Sequence, residues 1–222
     1  MGQAAAVAAG VVRGCGVGGV RLASYPGVVG VAPVIWTIGH SNHPFARFVE
    51  LLRSEGVDFV VDVRSYPYSR IVPQFNREVL EIALREVGAS YLFLGAQLGG
   101  RPSREEDYDE QGHARYDLMA EQPPFQAAVQ RLLRGCREHR IALLCSEGQP
   151  HECHRRLLVG KVLADQGVQL RHILPSGVVQ REDFVSLDSK DAQESLLGEE
   201  AAAWRSTQSV SHRRRLSASS AA

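Results

Sequence analysis

Two thiols, four carboxylate or imidazole groups and two guanidiniums crowd one short run: Cys145-Ser146-Glu147-Gly148-Gln149-Pro150-His151-Glu152-Cys153-His154-Arg155-Arg156. The apolar segment Ile141–Leu144 leads straight into it, and helical spacing of Leu157, Leu158 and Val162 follows. Ionisable side chains this dense at a strand-to-helix junction cost stability and mark a candidate site for chemistry. Cys145 stands where a nucleophile could stand, at a strand end facing a helix N-terminus whose N–H groups and dipole favour negative charge. Three readings of Cys145 stay open: a catalytic or redox thiol, a small core hydrophobe, and a metal ligand. Glu147 and Asp62 are candidate general acid and base, with His154 and His40 as further titrating groups. Cys153 is expected to face inward, because Leu157 four residues on extends the same stripe; His154 and Arg155 then look toward the site.

These groups need a scaffold, and the hydrophobic pattern supplies one. Apolar runs at Val34–Ile38, Phe59–Val63, Tyr91–Leu94, Ile141–Cys145 and Gln169–Leu174 read as five strands. Helically spaced stripes lie between them. Phe45, Phe48, Val49 and Leu52 form the first; Val79, Leu80, Ala83, Leu84 and Val87 the second. The third runs from Phe125 to Cys136 behind Pro123-Pro124, and the fourth runs from near Pro150 to Gly167. Strand–helix alternation predicts an α/β fold: one Rossmann-like domain, a mostly parallel sheet of about five strands, helices on both faces. In such sheets ligands bind beyond the carboxyl ends of the strands. Those ends carry His40, Ser41 and Asn42; Asp62 and Arg64; Gly99, Gly100 and Arg101; Cys145 and Glu147. His40, Ser41, Arg64, Gly99, Gly100, Arg101 and Arg155 are therefore the expected substrate-binding set. The arginines would hold a carboxylate or phosphate, and the glycines would let backbone approach a ligand. An Asp62–Arg64 salt bridge at the rim is an equal alternative to an acid–base role for Asp62. The loop from Pro102 to Tyr116 is a candidate lid.

Composition sets limits. The 222 residues suit one domain, expected over 34–187, with disordered segments at 1–33 and 188–222. Lys plus Arg and Asp plus Glu both count 25, so the net charge is zero and gives no indication of nucleic-acid binding. Arg213-Arg214-Arg215 reads as a solvated run. No stretch is long and apolar enough for a membrane span. Gly14-Cys15-Gly16-Val17-Gly18-Gly19 has the letters of a dinucleotide loop without the strand and helix that such a loop needs. Four cysteines, two of them in one motif, favour thiol or metal chemistry in a reducing compartment, and a cytoplasmic location is expected.

Five motifs in order carry a family resemblance: Thr37-Ile38-Gly39-His40-Ser41; Asp62-Val63-Arg64 with Pro67 and Ser69; Phe75-Asn76; Leu98-Gly99-Gly100; and Cys145-x-Glu147-x5-Cys153-His154-Arg155. Together they resemble the domain-of-unknown-function family 488 (DUF488) over about Val34 to Leu174. The resemblance implies a compact α/β domain of bacteria and archaea and supplies no activity. The residues themselves point to an enzyme acting on an anionic small molecule or nucleotide-like group. A non-catalytic ligand-binding or regulatory module, and a zinc-stabilised domain using Cys145, Cys153 and His154, are the alternatives. No cofactor is assigned, and the leading reading places no metal.

Overall fold

A computed structural model describes residues 32–182 and 204–210. The expectations for the Gly14–Gly19 loop, for Arg213–Arg215 and for most of both terminal segments fall outside the described residues. Six strands form one sheet: β1 (Val34–Gly39), β2 (Phe59–Asp62), β3 (Ser90–Phe93), β4 (Ile141–Cys145), β5 (Gln169–Ile173) and β6 (Val179–Arg181), in the order β3-β2-β4-β1-β5-β6. The first five are mutually parallel, and β6 runs antiparallel to β5 at the edge. The α/β class and the mostly parallel sheet are as the sequence predicts. The added edge strand is three residues long, two of them exposed polar side chains, and leaves no hydrophobic alternation to read.

Side-chain alternation along each strand divides the core in two. Ile35, Val61, Val63, Ile141 and Leu143 point to one face, where they pack on α4 (Tyr116–Glu121), α5 (Pro123–Gly135) and the chain around Leu158–Leu163. Trp36, Ile38, Val60, Ala142 and Leu144 point to the other, against α1 (Phe45–Ser54) and α2 (Arg77–Glu86). Central β4 is buried along its whole length, which is why it reads as a continuous apolar run. α1 uses Phe48, Val49, Leu51 and Leu52 as its buried side. In α2 only Leu80 and Leu84 are buried; Val79, expected in the stripe, is half exposed.

Two local features differ from the pattern reading, and both bear on the site. A one-turn helix, α3 (Gly95–Leu98), follows β3 directly. The fourth long helix does not start near Pro150. Residues 151–153 form a turn, and Arg155–Gly160 then wind as a π-helix before α6 (Lys161–Asp165). A Cβ on Gly160 would sit 2.9 Å from the Arg155 carbonyl and from Leu170 Cδ1, so the widened turn lies tight against β5. π-turns shift the phase of side chains and recur at functional sites.

Beneath the site, β5 is tied to the sheet through a polar chain. His172 Nδ1 meets Thr37 Oγ1 at 2.7 Å, and its Nε2 meets Glu182 Oε2 at 2.8 Å. Arg156 adds two bonds to Glu182. Burial pushes the Glu182 carboxyl up, but the hydrogen bonds of His172 and Arg156, with the Arg156 charge, bring it down to about 2 from 4.5. A carboxyl depressed on folding stabilises above its unfolded pKa and loses that contribution as pH falls through the folded value. Glu182→Gln is therefore expected to cost about 1–3 kcal/mol at pH 7. In urea titrations the gap to wild type should hold down to about pH 4.5 and narrow toward pH 2. A gap that stays constant to pH 2 would contradict the assignment.

Candidate functional site at the carboxyl rim

Strand parity decides which of the candidate residues meet. Cys145 continues the odd-numbered face of β4, whereas Asp62 and His40 continue the opposite face of β2 and β1. The rim therefore carries two polar groupings, one on each side of the sheet.

On the α5–α6 side, Cys145 closes β4 and Cys153 precedes the π-helix; both are buried. Glu147 Oε2 accepts from the Cys145 thiol at 2.7 Å and from the Cys153 thiol at 3.3 Å. His154 Nδ1 lies 3.7 Å from Cys145 Sγ and 3.9 Å from Cys153 Sγ. Its Nε2 lies 2.8 Å from the carbonyl of Val63. A carbonyl only accepts, so Nε2 carries a proton, and Nδ1 faces the two sulfurs. Gly100 makes this possible: a Cβ there would sit 2.6 Å from His154 Cγ. Burial, then the contact with Cys153, holds the Cys145 thiol well above its usual range, against the pull of His154. Burial also pushes the Glu147 carboxyl up. Hydrogen bonds from Cys145 and from its own N–H, the charge of His154 and the Cys153 thiol outweigh that and leave it at about 2. Burial opposes charge on His154, while Cys145, the Val63 carbonyl and Glu147 favour it, with a net upward shift. At neutral pH Glu147 is ionised and Cys145 is a thiol.

On the α1–α2 side, Asp62 and Arg64 form a buried pair. Asp62 Oδ1 accepts from Arg64 N at 3.0 Å and Nε at 2.9 Å; Oδ2 accepts from Arg64 Nη2 at 2.6 Å and from the Tyr91 hydroxyl at 2.7 Å. Arg64 Nη2 also donates to the Phe75 carbonyl at 2.8 Å. His40 stacks on Phe75 at 4.5 Å, and its Nδ1 bonds the Ser41 carbonyl. Burial chiefly brings the His40 imidazole down to about 4, so it is neutral at pH 7. Ser41 adopts a left-handed φ of 46°, and its N–H donates to the Ser146 carbonyl, which stitches the end of β1 to the loop after β4.

Arg155 links the two groupings from below. It is fully buried, with Nε on Thr37 Oγ1 and Nη1 and Nη2 on the carbonyls of Glu147 and Gly148. Its charge is directed at the loop that carries Glu147. Gly39 completes that junction, because a Cβ there would fall 1.7 Å from the Glu147 carbonyl oxygen.

Two adjoining clefts open over the rim. One, of about 210 Å³, is lined by Arg101, Tyr116, Cys145, Glu147, Cys153 and His154 among others, and residues 206–208 form part of its wall. The second, of about 460 Å³, is lined by His40, Ser41, Tyr68 and Gly148. Arg64, Tyr66, Arg101, Ser146 and Glu147 line both. Arg101 is exposed, and among the described residues its guanidinium makes no hydrogen bond or ion pair; its backbone N–H is held by Ser65 Oγ. The space beside Gly99 and Gly100 is filled by Ser65 and His154.

Sequence reading missed three contributors. Val63 acts through its carbonyl and Tyr91 through a hydroxyl remote in sequence, neither of which has a pattern. Residues 204–210, inside the segment expected to be disordered, pack on the domain: Trp204 Nε1 donates to the Leu157 carbonyl at 2.8 Å, and Tyr116 N–H donates to the Trp204 carbonyl. Trp204 was the available signal, a large aromatic in a polar segment. The loop 102–116 is pinned in the same way, by Gln122 on buried Asp107 and by Ser206 Oγ on the Ala114 N–H.

A family model described as Domain of unknown function DUF488 matches residues 44–162, more than half of the chain. No curated protein and no solved structure is significantly similar to the chain. Among the described residues no helix is long and apolar enough to cross a membrane.

Proposed function

This chain belongs to the DUF488 family, and we propose that it is an enzyme acting on a small anionic molecule of the nucleotide or phosphate-ester kind. One observation carries the reading: an exposed guanidinium without a partner among the described residues, Arg101, and the ionisable group Cys145–Glu147–His154 line the same cleft. Arg101 binds the anion. His40, Ser41 and Arg64 line the adjoining cleft, and Arg64, already neutralised by Asp62, shapes the wall and adds little net charge. Glu147, charged, accepts from the Cys145 thiol and orients it, and Cys145 with His154 forms the reacting floor. Asp62 and Arg155 serve the site by holding the backbone on either side of it. A binding module without turnover would use the same Arg101; the ionisable group placed beside it in one cleft favours the enzyme.

The test is whether anion binding needs Arg101. Inorganic phosphate or adenosine monophosphate should raise the melting temperature of the wild type; at a hundredfold excess over Kd the gain is about 2.7 kcal/mol. Arg101→Ala should lose most of it. No shift with either anion, or the same shift in the variant, would end this reading.

A further inference from the structure

The floor of the cleft offers a chemistry that anion binding does not use. Cys145 Sγ, Cys153 Sγ and a ring nitrogen of His154 all lie within 4.8 Å of one another. The individual separations to His154 Nδ1 are 3.7 and 3.9 Å, and Glu147 Oε2 stands 2.7 and 3.3 Å from the two sulfurs. Ligand atoms at roughly 2.0–2.3 Å from a tetrahedral zinc ion lie roughly 3.3–3.8 Å from each other. The two sulfurs and the imidazole nitrogen already sit close to such a shell, and Glu147 Oε2 lies beside both sulfurs, nearer to Cys145, whose thiol proton bridges them.

The surroundings point the same way. Ligand histidines generally donate their second ring N–H to a carbonyl or carboxylate, which fixes the tautomer and turns the other nitrogen to the ion. His154 does this through Val63. Gly100 backs the ring so closely that no side chain fits. The donors come from the end of a buried strand and the start of the π-helix, so their spacing is set by packed elements. Two sulfurs and an imidazole are a borderline-soft set that selects zinc-like ions over magnesium or calcium.

We infer that Cys145 Sγ, Cys153 Sγ and His154 Nδ1 hold a thiophilic divalent cation of the zinc class, with Glu147 Oε2 in the fourth position on the cleft side. Binding replaces the two thiol protons, which leave to solvent, so the ion's two charges meet two thiolates, a carboxylate and a neutral imidazole. The inference goes beyond the anion reading and stands without it, since the cation can bind whether or not phosphate does.

The experiment uses the full chain purified under reducing conditions, stripped with chelator and titrated with Zn²⁺ and Co²⁺. The expected result is one tightly held equivalent of zinc. Cobalt should give sulfur-to-metal charge-transfer absorption in the near ultraviolet and the intense visible bands of a tetrahedral ion. Cys153→Ser and His154→Ala should each weaken binding at least tenfold, on the scale of lost ligand support. Cys136→Ser, at the far end of α5, should leave it unchanged. Absence of cobalt–thiolate absorption in folded wild type, or equal zinc retention by folded Cys153→Ser, would overturn the inference. Should the variants not fold, the wild-type cobalt spectrum decides alone. A cobalt-silent protein that still binds phosphate through Arg101 would remove the metal and leave the anion site.

Discussion

Asp62→Asn is expected to destabilise the fold by about 3–5 kcal/mol, the cost of breaking a buried ion pair by removing one partner. Asp62 is fully buried, and Arg64 retains 4 % of its side-chain exposure. Both carboxylate oxygens accept, Oδ1 from two donors of Arg64 and Oδ2 from Arg64 and the Tyr91 hydroxyl. An amide has one acceptor oxygen and one NH2 donor group, so whichever way it turns, its N–H groups face an N–H of Arg64. Arg64 is left charged, nearly buried and without its counter-ion. Urea denaturation of single and double variants measures this. Asp62→Asn with Arg64→Met should be more stable than Asp62→Asn alone, since methionine removes the stranded charge. A loss below about 1 kcal/mol in the single variant, the range of exposed pairs, would contradict the burial of this one.

Arg155→Met is the second large effect, expected at about 3–5 kcal/mol from the loss of charge-assisted hydrogen bonds, each worth about 1.5–3 kcal/mol. Methionine fills much of the buried volume, so the loss falls on the polar end. The carbonyls of Glu147 and Gly148 lose their donors, and the loop over the sulfur cluster loses its anchor to Thr37 and the β1 strand. Chevron analysis or urea titration gives the number, and a near-neutral outcome would mean that the guanidinium is not committed to the loop. Arg155→Lys should recover only part of the loss, because a point ammonium cannot span three acceptors that a planar fork reaches.

Much of this architecture is written in the sequence. Val34–Ile38, Phe59–Val63 and Ile141–Cys145 read as strands because each is buried on both faces, and the parallel order follows from the helices between them. The rim is legible for the same reason, since a parallel sheet collects every strand end on one side. What the pattern does not carry is the side of the rim on which each residue falls. That depends on one-residue differences in where strands end: Asp62 is the last residue of β2 and Cys145 the last of β4, yet they face opposite ways. Arg155 shows another limit. A helix begun near Pro150 turns it toward the rim, while the turn at 151–153 and the π-helix send it beneath the loop. Burial also reversed an ordinary expectation for glycine, for Gly100 admits an imidazole.

The central claim is that Arg101 and the thiol–carboxylate–imidazole floor serve one cleft as one site. Calorimetric titration of adenosine monophosphate and inorganic phosphate into wild type and Arg101→Ala tests it most directly. Saturable binding in the wild type, weakened at least tenfold in the variant with its fold intact, is the predicted result; equal affinity in both proteins, or none in either, would contradict it.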